Sequence, residues 1–231
     1  MIKTELPAYA EFFLYVTPCI ICISAFVYGA VNLFKEKIPF YFKIIVCGAG
    51  CYALQEISGV ITYLCGGFEY DLTASSLGAF GCYFFLLSVN YGQLDGVVDS
   101  KGKDSLFAGR IALIAPLVLS VPIAVITYLL FMLPDFVKVI YTIVFYIPMV
   151  VASYYNLKHL VMKDDDFGFL KTMRAYNFWA LVFYVLQVSY LVGVSLDIIP
   201  VYVFSGILAT VILFCMVISA VKGAKKWKTL I

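Results

Sequence analysis

Apolar residues run through this chain in long stretches, each separated from the next by a short cluster of charged or turn-forming residues. A membrane-spanning helix needs about 20 mostly apolar residues. Seven stretches have that character: 9–34, 42–64, 72–91, 110–133, 136–157, 171–194 and 200–221. The pattern predicts an all-α, polytopic membrane protein, a single seven-transmembrane-helix bundle over residues 1–231 lying in the cell membrane. The first stretch is longer than the apolar region of a cleaved signal peptide and is preceded by Glu5 as well as Lys3, so it is read as the first membrane helix.

Composition agrees. Hydrophobic residues make up 64% of the chain and charged residues 13%, whereas a soluble domain is about half apolar and a quarter charged. With the spans using most of the length, any output is expected to come from the bundle itself or from a cytoplasmic or membrane signalling partner. The charges sort by side. Of the 16 lysines and arginines, all but Lys3 and Lys138 fall in the first, third and fifth loops or the C-terminal tail. Glu5, Glu11, Glu69, Asp71, Asp135 and Asp197 fall on the other side. The positive-inside rule then predicts the N-terminus outside and the C-terminus cytoplasmic. Tyr9, Tyr41, Tyr63, Tyr70, Tyr154, Tyr155, Tyr202 and Trp227 lie near predicted helix ends, where headgroup anchoring explains them. The net charge of +2, with dispersed basic residues, argues against a nucleic-acid partner. The 7 cysteines imply no disulfide framework; Cys19 and Cys22 are spaced like a redox or zinc half-motif but lie in an apolar helix.

The second span carries the costliest residues. Gln55 and Glu56 lie near its centre, and a carboxylate at that depth costs on the order of 2.5–3.5 kcal/mol or more. Helical spacing aligns Ala49, Tyr52, Glu56, Gly59 and Tyr63 in one stripe, with Gln55, Ser58 and Thr62 beside it. Leu54, Ile57, Ile61 and Leu64 form the opposite, apolar face. The polar face should point into the bundle. In span six, Asn177, Ala180, Tyr184 and Gln187 recur at helical spacing and supply a facing polar stripe. Interhelical hydrogen bonding alone would also account for both stripes. Span three has a small-residue stripe, Ala74, Gly78 and Cys82 with Gly81 adjacent, which predicts close helix packing. Pro18, Pro116, Pro122 and Pro148 each remove a backbone donor and favour bends.

Two loops predicted on one side are acidic: Asp95 and Asp99 in the third, Asp164, Asp165 and Asp166 in the fifth. Hard oxygen ligands of this kind could hold Mg²⁺ against a diphosphate. The pair resembles the Asn/Asp-rich loop pair of intramembrane aromatic prenyltransferases, and that resemblance implies a Mg-dependent enzyme acting on a diphosphate or lipid substrate. The Asn90-to-Asp95 interval departs from the family's spacing, and fewer spans separate the two loops. The alternative reading is a solvated loop whose acids offset neighbouring lysines. His159, beside Lys158, reads as a surface histidine.

The orientation and length are similar to those of sugar-type seven-helix transporters, built as two three-helix repeats around a linker. That similarity implies a small transporter with a proton- or cation-linked Glu56. Size and topology are also similar to microbial rhodopsins, but span seven lacks the lysine that carries retinal, and Lys222 falls at its inner end. No cofactor is expected. The favoured reading is a sensor or receptor-like module that binds a small apolar or amphiphilic ligand within the bundle, at Glu56, Gln55, Tyr52, Tyr63, Asn177, Tyr184 and Gln187. Topological analogy is associational, so those residues carry the reading.

Overall fold

The computed structural model describes residues 8–65, 74–91, 136–161, 169–196 and 198–230, with the isolated helical positions 124 and 128. All regular secondary structure among them is helical: α1 (Ala8–Leu33), α2 (Phe40–Leu64), α3 (Ala74–Tyr91), α4 (Phe136–Val161), α5 (Phe169–Ser195) and α6 (Ile199–Leu230). Within them Phe12–Leu33, Phe40–Leu64, Thr172–Val194 and Ile199–Trp227 are long and apolar enough to cross a bilayer. The chain is therefore a multi-pass membrane protein. The expected span at 110–133, and the acidic residues Asp95, Asp99, Asp164, Asp165 and Asp166, lie outside the described residues.

Helix boundaries follow the apolar runs closely, with two differences. Helix α4 runs on through Lys158 and His159 to Val161. The last helix continues past the apolar stretch through Lys222, Lys225 and Lys226 to Leu230. Lysine and alanine are good helix formers and no proline interrupts them, so the helix persists after hydrophobicity ends. At 32 residues it reaches about 48 Å, longer than the ~30 Å hydrocarbon core.

The helices pack as a closed ring in chain order, α1 on α2, α2 on α3, α3 on α4, α4 on α5, α5 on α6 and α6 on α1, with α2 also touching α6 across it. Side-chain pairs fix the directions. Tyr63 stacks on Tyr15, while Gly50 lies against Phe26 and Gly29 against Val46, so α1 and α2 are antiparallel. Gly78 faces Cys51 and Gln55 while Gly48 faces Cys82, so α2 and α3 are antiparallel. Gly29 also meets Val217, and Gly223 meets Phe42, which makes α2 and α6 antiparallel. Gly193 meets Tyr202 and Gly223 meets Thr172, which does the same for α5 and α6. Hence α1, α3 and α6 run one way, α2 and α5 the other.

The faces match the expected pattern. Leu54, Ile61 and Leu64 are exposed on the apolar side of α2, as are Phe13, Val31, Val185 and Phe204 elsewhere. A bilayer accepts such surfaces, which water would not. Tyr41 departs from its expected anchoring role: it is buried beside Phe42, their ring centroids 4.4 Å apart, because α6 covers the start of α2.

The small-residue stripe of α3 is a packing device. A Cβ at Gly78 would stand 2.7 Å from the Cys51 carbonyl oxygen and 2.8 Å from the Gln55 nitrogen, both backbone atoms that cannot yield. At Gly59 a Cβ meets nothing within 4 Å. Gly78→Ala is therefore expected to destabilise the bundle by about 1–3 kcal/mol through overpacking. Gly59→Ala should be neutral or stabilising by up to ~1 kcal/mol through helix propensity. Thermal unfolding of the two variants in detergent checks this; equal midpoints would refute the packing argument.

Candidate functional site

The middle of the bundle is held by one amide. Gln187 on α5 is buried; its Nε2 donates to the Tyr52 hydroxyl on α2 at 2.8 Å, and its Oε1 accepts from the Tyr83 hydroxyl on α3 at 2.6 Å. Phe183, one turn earlier on α5, packs edge-on against Tyr52 at 5.6 Å and lies 6.4 Å from Tyr83; Tyr146 of α4 lies 6.0 Å from Tyr83 on its other side. An aromatic sleeve thus excludes lipid from two hydrogen bonds that join three helices. In a low-dielectric interior such bonds are strong and their absence costly.

Glu56 lies one turn from Tyr52 towards Leu64. The buried residues of α2 run from Tyr41 to Ala53, whereas Gln55 to Val60 are all only half-buried. Glu56 therefore stands where the helix leaves the packed core. Its Oε1 accepts a long bond, 3.4 Å, from Gln55 Nε2. The Gln55 side-chain oxygen is buried and has no hydrogen-bond partner among the described residues. Across the α1 contact the carboxylate is within electrostatic reach of Cys19 and Cys22, and on its own helix of Tyr52. Gly59 leaves open space on the next turn, and beyond it Tyr63 closes the stripe by stacking on Tyr15 with centroids 4.8 Å apart. The arrangement offers a carboxyl group, an unused amide oxygen and room beside the backbone, bounded by aromatic rings.

The polar stripe of α5 is buried along its whole length, at Asn177, Ala180, Tyr184 and Gln187. Among the described residues none of its side chains is hydrogen-bonded to Glu56. Gln187 meets Tyr52 rather than Glu56. Tyr184 accepts from Asn156 Nδ2 on α4 at 3.4 Å, and that same nitrogen bonds the Ala152 carbonyl at 2.8 Å. Asn177 is fully buried, and neither of its amide atoms has a hydrogen-bond partner among the described residues.

Tyr83 and Asn156 belong to these networks, yet sequence reasoning passes over both. The available signal was depth: Tyr83 is an aromatic hydroxyl far inside an apolar run, not at its edge. His159 corrects an expectation. It is fully buried rather than at the surface, because α4 turns the face bearing Ala152, Asn156 and His159 inward between α3 and α5.

The sequence matches no family model, and no curated protein or solved structure is similar to it.

Replacing Gln187 with leucine would strand two buried hydroxyls. The expected cost is about 1–3 kcal/mol. Tyr52→Phe and Tyr83→Phe together should cost less in the Gln187→Leu background than in the wild type. An unfolding mutant cycle that found the changes strictly additive would remove the tie from the account.

Proposed function

We propose that this chain is a sensor or receptor-like membrane protein that binds a small amphiphilic molecule in the bundle beside Glu56. The observation that carries the reading is the position of that carboxyl group. It is the one acidic side chain within the four apolar spans, and it sits at the margin of the packed core with the buried Gln55 oxygen and the space at Gly59 around it. A carboxyl kept at membrane depth only for structure would be expected to hold short bonds to neighbouring helices. Glu56 instead has its long contact to the adjacent residue. A ligand with a hydroxyl or amine at one end and an apolar body would satisfy Glu56 and Gln55 and fill the space towards Tyr63. Signalling would pass through a partner at the membrane or in the cytoplasm.

The test is photolabelling in nanodiscs with a diazirine-bearing, clickable fatty amine and its hydroxyl analogue. Labelled peptides should map to α1 and the outer half of α2. Glu56→Leu should reduce labelling about ten-fold, the equivalent of ~1.4 kcal/mol, while Glu56→Leu protein remains folded by circular dichroism. Labelling spread evenly over the lipid-facing surface would exclude the site. Proton-driven uptake of a solute into proteoliposomes, lost in Glu56→Gln, would favour the transporter reading instead.

The same reading includes seven spans, with the N-terminus outside and the C-terminus cytoplasmic in the cell membrane. Its support is a parity argument. The helices α3 and α5 run in opposite directions with α4 between them. If α4 crosses the membrane, the chain must cross an odd number of further times between α3 and α4, and 110–133 is the apolar stretch that can do so. Impermeant maleimide on intact cells should label the exposed Cys65, whereas a cysteine at Lys37 or Lys225 should react only after permeabilisation. Labelling of all three from outside would overturn this topology.

A further inference from the structure

We propose that the end of the bundle formed by the α1–α2 turn and the last turns of α6 binds the headgroup of a polyanionic phospholipid. Two separate segments supply the charge. Lys35 and Lys37 are exposed in the turn between α1 and α2, and Lys43 is half-buried in the first turns of α2. Lys222, Lys225 and Lys226 are exposed on α6. Packing brings the two sets together: a Cβ at Gly223 would lie 3.3 Å from the Phe42 ring, so Lys43 and Lys222 flank a direct helix contact. Among the described residues of this end the single acid is Glu36.

Like charges gathered from two segments repel one another, and a bound anion relieves that repulsion. The neighbouring backbone adds to the same field. The N-cap of α2 is Pro39, which makes no side-chain hydrogen bond, and the first turn holds no acidic residue. The positive end of this helix dipole therefore adds to the basic field. The apolar surroundings specify a lipid rather than a soluble anion. Phe34 and Phe40 flank the turn with 54% and 64% of their surfaces exposed, where they can lie against acyl chains while the lysines reach the headgroup. Lysines close to a membrane surface gain attraction roughly in proportion to their number, so a headgroup with several charges is held by both segments at once, and one with a single charge is not.

The test uses the full chain in phosphatidylcholine nanodiscs doped with phosphatidylinositol bisphosphate, cardiolipin or phosphatidylserine, with retained lipid counted by native mass spectrometry. The two polyanionic lipids should be retained over phosphatidylserine. The variant carrying Lys35→Gln, Lys37→Gln, Lys222→Gln and Lys225→Gln should lose about ten-fold or more of that retention. Lys138→Gln, at the start of α4, should leave it unchanged. Circular dichroism in pure phosphatidylcholine nanodiscs separates loss of binding from loss of fold; if the fourfold variant unfolds, the two double variants are read singly, each expected to bind more weakly. Equal retention of phosphatidylserine, wild-type retention in the variants, or equally tight binding of soluble inositol hexakisphosphate without lipid would each overturn the proposal.

Discussion

A polar group inside a bilayer has to find its partner within the protein, and the Gln187 amide meets that demand by drawing a hydroxyl from each of two other helices. Much of the fold depends on this tie being geometrically available. Tyr52 and Tyr83 reach the same amide because α2 and α3 approach closely, and they do so because Gly78 lets the α3 backbone rest on Cys51 and Gln55. A bulkier stripe would part the helices and leave the amide unsatisfied in an apolar interior. Packing and polarity are thus coupled: the small residues set the distance, and the hydrogen bonds select the register at that distance. The aromatic rings of Phe183 and Tyr146 then keep the pair of bonds away from lipid.

Four of the expected spans, those of α1, α2, α5 and α6, were legible from the chain because the bilayer imposes a length and an apolar composition that few other environments do. The small-residue stripe of α3 and the greasy face at Leu54, Ile61 and Leu64 were legible for a related reason, since helical periodicity converts directly into a face. Partners were harder to read. Spacing put Gln187 on the stripe of Asn177 and Tyr184, but it could not say that Gln187 would meet Tyr52 while Tyr184 met Asn156. That outcome depends on which helix lies beside which, and the ring order is a tertiary fact. Tyr41 and His159 show the same limit. Each stands near a helix end in a sequence context that suits an interface, and each is buried because a neighbouring helix extends far enough to cover it.

Two kinds of buried polar group coexist in the bundle, and their difference bears on function. Asn177 is enclosed, with no hydrogen-bond partner among the described residues, at a site fully withdrawn from the surface. Such a group constrains what can pack beside it but offers no evident approach for a molecule from the membrane. At Gln55 and Glu56 an amide oxygen with no hydrogen-bond partner among the described residues lies beside a carboxyl, and both residues are only half-buried. A carboxyl at membrane depth is costly, and only a reachable one lets a ligand recover part of that cost as binding free energy.

The distribution of packing along α2 gives this asymmetry a mechanical meaning. From Tyr41 to Ala53 the helix is clamped, by α1, α3 and α6 and through Tyr52 by α5. From Gln55 onward it is only half covered, and Gly59 leaves room on the face that carries Glu56. On the proposed reading, a molecule settling against Glu56 would act on the loosely held half of a helix whose other half is fixed in the core. Any strain it imposes is transmitted first to Tyr52, one turn away, and Tyr52 is bonded to the amide that joins α2 to α3 and α5. The residue best placed to sense an occupant and the residue that holds the helices together are thus adjacent on one face of one helix. On the proposed receptor-like reading this adjacency is economical, because a change at the open end would reach three helices through a single side chain.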